Sequence, residues 1–170
     1  NDTVALPASS ISLTATATDK DGDSASQTVN LGSGFVFTDD APTVSMTAAT
    51  GVTVTLDETS AGATTNGTFA TAITATSSAS VLNPTISYGA DGAGSTVYSL
   101  TAVTGASGLK TAAGDYSINL VQTNGTTVTG TFVDGTGATK TAFTIVMGTD
   151  GKLTVTQNVA LEHNTDGNTA

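Results

Sequence analysis

Apolar and hydroxyl-bearing residues alternate along much of this 170-residue chain, and this pattern constrains the fold more than any other feature. Residues 11–18 read I-S-L-T-A-T-A-T, so that every second side chain is apolar. Successive side chains of a strand point to opposite faces of the sheet, so this alternation predicts a strand with one buried and one solvated face. Further strands are predicted at residues 27–37, 52–56, 69–75, 85–88, 97–103, 116–120, 128–133, 143–147 and 153–155.

Turn signals separate these predicted strands. Asn124-Gly125, Asp134-Gly135 and Asp150-Gly151 are dipeptides typical of tight hairpin turns. Gly32-Ser33-Gly34 predicts a bulge within the second strand. No segment has a convincing helical period. Short strands with turns roughly every eight to twelve residues predict an all-β, antiparallel β-sandwich, immunoglobulin-like or related.

An acidic turn, Asp19-Lys20-Asp21-Gly22-Asp23, lies between the first two predicted strands. Three carboxylates so close repel one another unless water or a cation screens them, and Ca²⁺ prefers such oxygen ligands. The turn therefore favours a calcium-clamped β-hairpin, with a merely solvated turn as the alternative, since Asp-Gly is a common hairpin signal. The EF-hand pattern is incomplete, because Ser24 and Asn30 replace its glycine and closing glutamate. Any ion site here needs ligands from elsewhere in the fold.

A second acidic pair, Asp39-Asp40, stands just before Pro42. Proline cannot donate a hydrogen bond to a β-ladder, so Pro42 marks the end of a strand. The pair is either a calcium-rigidified joint between consecutive modules or a polar turn, and the residues alone favour neither.

Composition excludes several function classes. Four lysines, no arginine and 14 acids give a net charge of −10, which disfavours nucleic acid and anionic membranes as partners. No 18-residue apolar run predicts membrane insertion. The chain has no cysteine nucleophile and no arginine to stabilise an oxyanion. Its one histidine, His163, has no serine and aspartate arranged beside it as in a catalytic triad. We expect it to be a loop residue. We therefore expect a protein that is not an enzyme.

Several short motifs, in this order, resemble repeats of giant bacterial RTX adhesins, which are exported by type I secretion. Residues 16–25 followed by residues 35–43 resemble the closing part of such a repeat. Residues 54–59 resemble a repeat opening. The repeat body is matched by residues 88–94, 98–100, 153–157 and 160–163.

The resemblance implies a secreted β-sandwich module on the bacterial surface, ordered by extracellular calcium. It implies a structural or scaffold role in cell adhesion and biofilm formation, in which the module spaces or presents binding domains. The implied partners are neighbouring modules of the same adhesin, with surface glycans or proteins reached through adjacent domains. Matched position by position, the candidate Ca²⁺ ligands are Asp19, Asp21, Asp23, Asp39, Asp40, Asp57 and Glu58.

The order of the motifs is circularly shifted relative to such a repeat. Residues 1–40 correspond to the strands of a repeat tail, residues 41–51 to a linker, and residues 52–170 to a repeat body. The tail belongs to a preceding repeat, completes the body within the same chain, or results from an insertion that splits a domain. We favour a single module over residues 1–170 in which the tail contributes strands to the sandwich, because two bare strands cannot bury their apolar face alone.

A ligand-binding module of the same adhesin, recognising carbohydrate through calcium, is the alternative function. It has little aromatic surface to use, since the chain has no tryptophan and three tyrosines. Ice binding by Thr-x-Thr rows is a weaker hypothesis, because outward threonine is ordinary on strands.

Overall fold

The computed structural model describes residues 2–62 and 67–163, and within these ranges it contains twelve β-strands, two 3-10 turns and no α-helix. The strands are β1 (Thr3–Ala5), β2 (Ser12–Thr18), β3 (Ser24–Asn30), β4 (Val36–Thr38), β5 (Thr43–Ala48), β6 (Thr68–Thr76), β7 (Leu82–Ser87), β8 (Gly105–Lys110), β9 (Ser117–Asn124), β10 (Thr127–Val133), β11 (Thr139–Met147) and β12 (Leu153–Val159). The 3-10 turns are Gly32–Gly34 and Glu58–Ser60.

A six-stranded antiparallel sheet with the order β6-β12-β11-β10-β9-β8 dominates the topology. Strands β9 to β12 follow one another as hairpins, and their connections contain the three turn dipeptides that the sequence predicts. Three two-stranded sheets, β1-β4, β2-β3 and β5-β7, complete the strand pairing. The prediction of an all-β, antiparallel fold is confirmed, and the sheets are consistent with a β-sandwich.

The chain divides into two compact units. One comprises residues 1–45 with 85–94, and the other comprises residues 46–84 with 95–170. Residues 1–40 supply four strands where the sequence predicts two, and within the described residues these pair only with one another. The expected linker, residues 41–51, contains the strand β5. That residues 1–40 complete one circularly shifted sandwich module stays a prediction.

One face of the six-stranded sheet carries the hydrophobic core. The core cluster consists of Ile118, Phe132, Ala142, Phe143 and Val159, of which Ile118 and Ala142 are fully buried. Gly130 lies opposite Phe143 in the register, and a Cβ placed on it would come within 2.5 Å of the phenyl ring. A glycine here lets a large ring lie directly on the neighbouring strand, which compensates for the small size of most other core residues.

Threonine hydroxyl groups pair across the opposite face of this sheet. Thr74 hydrogen-bonds Thr156 at 3.1 Å, and Thr123 hydrogen-bonds Thr129 at 2.8 Å. The β2-β3 hairpin repeats the arrangement, with Thr14 bonded to Thr28 at 2.7 Å. Each pair satisfies two side chains without charge. The alternation in the sequence thus corresponds to an apolar face and a face of paired hydroxyls.

Two predicted strands, residues 52–56 and 97–103, are wrong, because neither segment forms a β-ladder. Both alternate between exposed and half-buried residues, so burial with a period of two is present without a ladder. In the second segment, two backbone hydrogen bonds are made with the side chain of Gln122 instead of with a neighbouring strand. Gln122 accepts a hydrogen bond from the Ala102 N–H at 2.9 Å and donates one to the Leu100 carbonyl at 2.9 Å.

The second predicted strand, residues 27–37, is interrupted rather than bulged. The 3-10 turn Gly32–Gly34 separates β3 from β4. The Pro7 carbonyl lies so near Gly32 that a Cβ there would overlap it, and this close approach requires glycine. The strands β1, β5 and β8 were not predicted, and β8 (G-A-S-G-L-K) has little apolar alternation to reveal it.

Truncating a side chain should lower stability more on one face of β9 than on the other. We expect Ile118→Ala to lower the free energy of unfolding by about 2–5 kcal/mol, because it removes a fully buried side chain and leaves a cavity. The control Val121→Ala, on the same strand but 39% exposed, should cost less than about 1 kcal/mol. Urea unfolding of both variants measures the difference, and equal losses would contradict the assigned core face.

Candidate metal centre

The β2-β3 hairpin holds the acidic turn in place. Its register runs from Ser12 opposite Asn30 to Thr18 opposite Ser24, and the Asp19 N–H donates to the Asp23 carbonyl at 2.9 Å. This leaves a tight five-residue loop. Gly22 has a φ of +103° there, a conformation that other residues adopt only at a cost.

The loop gathers the three carboxylates that the sequence singled out. Asp19, Asp21 and Asp23 each offer an oxygen atom, and these oxygens all lie within 4.8 Å of one another. All three side chains are exposed. Within residues 2–62 and 67–163, this is the one group of three or more acids or histidines so arranged. The clustering expected from the Asp-x-Asp-x-Asp spacing is therefore present in the fold.

Asp19 occupies the central position in the loop. Its Oδ1 accepts hydrogen bonds from the N–H groups of Gly22 at 3.1 Å and Asp23 at 3.0 Å. The pKa of Asp19 is lowered, first by a hydrogen bond with the Asp21 side chain and then by these backbone N–H groups, while desolvation opposes the shift. Asp19 is therefore ionised at neutral pH and orders the loop even before any cation binds.

This group fits Ca²⁺ as part of a ligand set. All of its donor atoms are carboxylate oxygens, which suit a hard cation, and the group contains no histidine or cysteine that would favour a transition metal. With one oxygen from each carboxylate, the group supplies three of the six to eight oxygens that calcium takes, so water and carbonyl groups would complete the set.

The structure does not bring Asp39 and Asp40 into this group. Asp39 Oδ1 accepts a hydrogen bond from the Asp40 N–H at 2.8 Å, and the Asp39 N–H donates to the Asp2 carbonyl at 2.8 Å. Gly89 lies against Asp40, where a Cβ would come within 2.5 Å of the Asp40 carbonyl oxygen. The pair thus ends β4 in a hydrogen-bonded turn. Its role as calcium ligand stays a prediction.

Asp57 and Glu58 have separate structural roles. Asp57 Oδ1 caps the following 3-10 turn by accepting a hydrogen bond from the Thr59 N–H at 2.9 Å. The pKa of Asp57 is lowered, first by a hydrogen bond with the Thr59 side chain and then by this N–H group. Neither residue is part of a group of three acids or histidines within the described residues. That they bind calcium also stays a prediction.

Glu58 faces inward and joins two distant parts of the chain. Its Oε1 accepts hydrogen bonds from Gln157 Nε2 at 2.5 Å and from the Leu161 N–H at 3.1 Å. His163 Nε2 lies 3.6 Å from the same oxygen. Gln157 is only 4% exposed and lies opposite Phe143 on the core face. A buried polar side chain at an apolar position needs partners, and for Gln157 these are Glu58 and the Val159 carbonyl, which accepts from Nε2 at 2.9 Å.

Sequence reasoning missed the inward glutamines Gln122 and Gln157. Each glutamine lies on the same face of its strand as a core-facing residue two positions away. The available signal was a polar residue at an apolar position of the alternation. The resemblance instead gave Glu58, next to Asp57, as a candidate Ca²⁺ ligand.

Comparison with known proteins gives one family. A model described as "Domain of unknown function (DUF5801)" matches residues 53–170, which is more than half of the chain. The chain belongs to the DUF5801 family. No curated protein and no solved structure matches it. The DUF5801 match contains the six-stranded sheet with Glu58 and Gln157, whereas Asp19, Asp21 and Asp23 precede it.

The DUF5801 chain has no helix, within its described residues, of the length and hydropathy that a membrane-spanning helix requires.

The Glu58–Gln157 contact predicts a selective loss of stability. Glu58→Ala should lower the free energy of unfolding by about 1–3 kcal/mol, because it leaves the Leu161 N–H and a buried amide with fewer partners. The control Glu162→Ala removes an equal charge from an exposed side chain and should change it by less than about 0.5 kcal/mol. Thermal or urea unfolding checks both, and identical curves would show that the contact is not stabilising.

Proposed function

We propose that the chain is a calcium-stabilised structural module of a secreted bacterial adhesin of the RTX type. It would act in cell adhesion and biofilm formation by spacing or presenting binding domains on the cell surface. The observation that carries the proposal is the convergence of Asp19, Asp21 and Asp23 within 4.8 Å at the end of a hairpin. Neighbouring modules of the same adhesin are its proposed partners.

The physical support comes from charge balance. Three carboxylates crowded onto five residues repel one another, and a divalent cation bound between them would replace that repulsion with attraction. The apolar side chains of the hairpin bury little surface, with Leu13 58% and Val29 47% exposed. Electrostatics at the turn therefore weighs heavily in its stability. A calcium-rich exterior would order the hairpin, and a calcium-poor interior would leave it less stable.

The arrangement of the other titratable groups favours a structural role over catalysis. Asp57, Asp134 and Asp150 each accept backbone hydrogen bonds within a turn. Lys110 and Asp115 form a salt bridge of 2.7 Å with each other. These groups are engaged in local structure, and the fold alone indicates no reaction.

Calcium binding is tested through stability. We expect the melting temperature to rise when chelator is replaced by millimolar Ca²⁺, because a ligand that binds the folded state stabilises it by mass action. Asp21→Asn with Asp23→Asn should reduce that rise, because it removes two of the three carboxylates. Scanning calorimetry gives the melting temperature, and amide shifts of residues 19–23 in NMR spectra localise the ion.

The matched control removes the same amount of negative charge at positions outside the acidic turn. Asp91→Asn with Asp150→Asn also removes two carboxylates, and both of these residues lie outside the acidic turn. This variant should keep the full calcium-dependent rise. The proposal fails if the melting curve of the original chain ignores Ca²⁺, or if the control and the Asp21/Asp23 variant lose the rise equally.

A further inference from the structure

A cavity of about 610 Å³ opens at one end of the six-stranded sheet, within the DUF5801 match. Its wall is formed where β6 and β11 begin, where β10 and β12 end, and by the loops β8–β9 and β10–β11. None of the seven acids considered as calcium ligands lines it. Its size lies within the roughly 300–1,000 Å³ of small-molecule sites.

Irregular strand pairing borders the cavity. The register shifts between Ala106 and Lys110 in β8, between Gly130 and Thr131 in β10, and between Gln157 and Val159 in β12. These three shifts lie in the half of the sheet that borders the cavity, whereas a fourth, between Thr127 and Val128, lies at the opposite end of β10. Bulges redirect side chains and end regular pairing, and they are frequent beside binding sites. Asn158 lies at the shift in β12, where it has no register partner, and it lines the cavity.

An aromatic pair forms the apolar part of the wall. The rings of Tyr116 and Phe132 are stacked with centroids 5.9 Å apart and an interplanar angle of 13°. Gly114 lies against the Tyr116 ring so closely that a Cβ would overlap it, and its φ of +85° also favours glycine. The Tyr116 hydroxyl group points toward Gly135, where a Cβ would come within 2.7 Å of it. The ring is thereby fixed at the wall of the cavity.

Polar groups without a hydrogen-bond partner among the described residues lie beside these rings. Within residues 2–62 and 67–163, the Tyr116 hydroxyl and the Asn158 amide make no hydrogen bond, and both residues line the cavity. Lys140 also lines it and forms no salt bridge in this part of the chain, although its charge attracts Asp134. Asp134 is different, since its Oδ1 accepts from the Thr136 N–H at 2.9 Å, the Thr136 hydroxyl at 2.6 Å and the Ala138 N–H at 3.0 Å. The pKa of Asp134 is lowered, first by the Thr136 hydroxyl group, so the wall carries one fixed negative charge and one positive charge.

We propose that this cavity binds a neutral sugar, as a free mono- or disaccharide or as the terminal residue of a glycan, without calcium. A sugar ring presents hydroxyl groups that both donate and accept, and these match an amide, a phenol, an ammonium and a carboxylate. Its C–H face matches the aromatic pair. An anionic ligand is disfavoured by Asp134 and by the net charge of −10, and a purely apolar ligand would leave the polar wall unsatisfied.

This activity is separate from the calcium-dependent role of the acidic turn. A titration of the whole chain with neutral sugars such as glucose, galactose, mannose, N-acetylglucosamine and lactose, followed by amide shifts in NMR spectra, tests it. We expect at least one sugar to bind with a Kd of about 1 mM, with shifts at Gly114, Gly135 and Asn158, equally in chelator and in Ca²⁺.

Three variants assign the binding to this wall. Asn158→Ala, Lys140→Ala and the mild Tyr116→Phe should each weaken binding, the first two by about tenfold or more. Lys152→Ala is the matched control, because Lys152 lies in the β11–β12 turn and does not line the cavity. Unchanged dispersion of the remaining amide signals verifies that each variant is folded.

Each possible result either supports the proposal or overturns it. Binding that survives chelator and falls in the wall variants but not in Lys152→Ala supports the proposal. Absence of shifts for every sugar at about 100 times a millimolar Kd overturns it. Binding that needs calcium, binding that ignores Asn158→Ala, or a preference for charged sugars or amino acids overturns it as well.

Discussion

Exclusion of water from one face of the six-stranded sheet is the constraint on which the larger unit depends. Ile118 and Ala142 are fully buried there, and Phe143 lies over Gly130. Most apolar residues of the chain are small, so this face gains its burial from close packing of a few larger side chains. A single sheet cannot shield its own apolar face, and further chain must cover it.

Two glutamines show how polar groups hold extended chain in this unit without a regular ladder. Gln122 bonds both an N–H and a carbonyl of residues 97–103, and Gln157 bonds the Glu58 carboxylate that follows residues 52–56. Each amide lies on the core face of its strand and is satisfied by a segment that has no β-ladder. In a low-dielectric setting such bonds are strong, and leaving them unmade is costly. They therefore specify where the two segments lie as well as stabilising them.

These contacts also explain how far the sequence predicted the structure. Strict alternation identified β2, and the turn dipeptides identified the hairpins of β9 to β12, because side-chain period and turn chemistry are local properties. Alternation failed at residues 52–56 and 97–103, since it reports which side chains are inward but not which backbone groups pair. Asp19, Asp21 and Asp23 were brought together as predicted because they share one short loop. Glu58 differed because its partner, Gln157, is 99 residues away.

The cavity at the end of the sheet, like the Glu58–Gln157 contact, is formed by residues far apart in the sequence. It lies beside three shifts of register and beside glycines such as Gly114, whose significance appears only when Tyr116 is placed against it. No short motif marks it, so a sequence reading passes over Asn158 and Lys140 as ordinary polar residues. The acidic turn is the opposite case, visible in sequence but weakly supported by packing, because Leu13 and Val29 remain largely exposed. A lone hairpin of this kind is marginal in water, so the charge at its turn weighs more than the same charge would on the well-packed sheet.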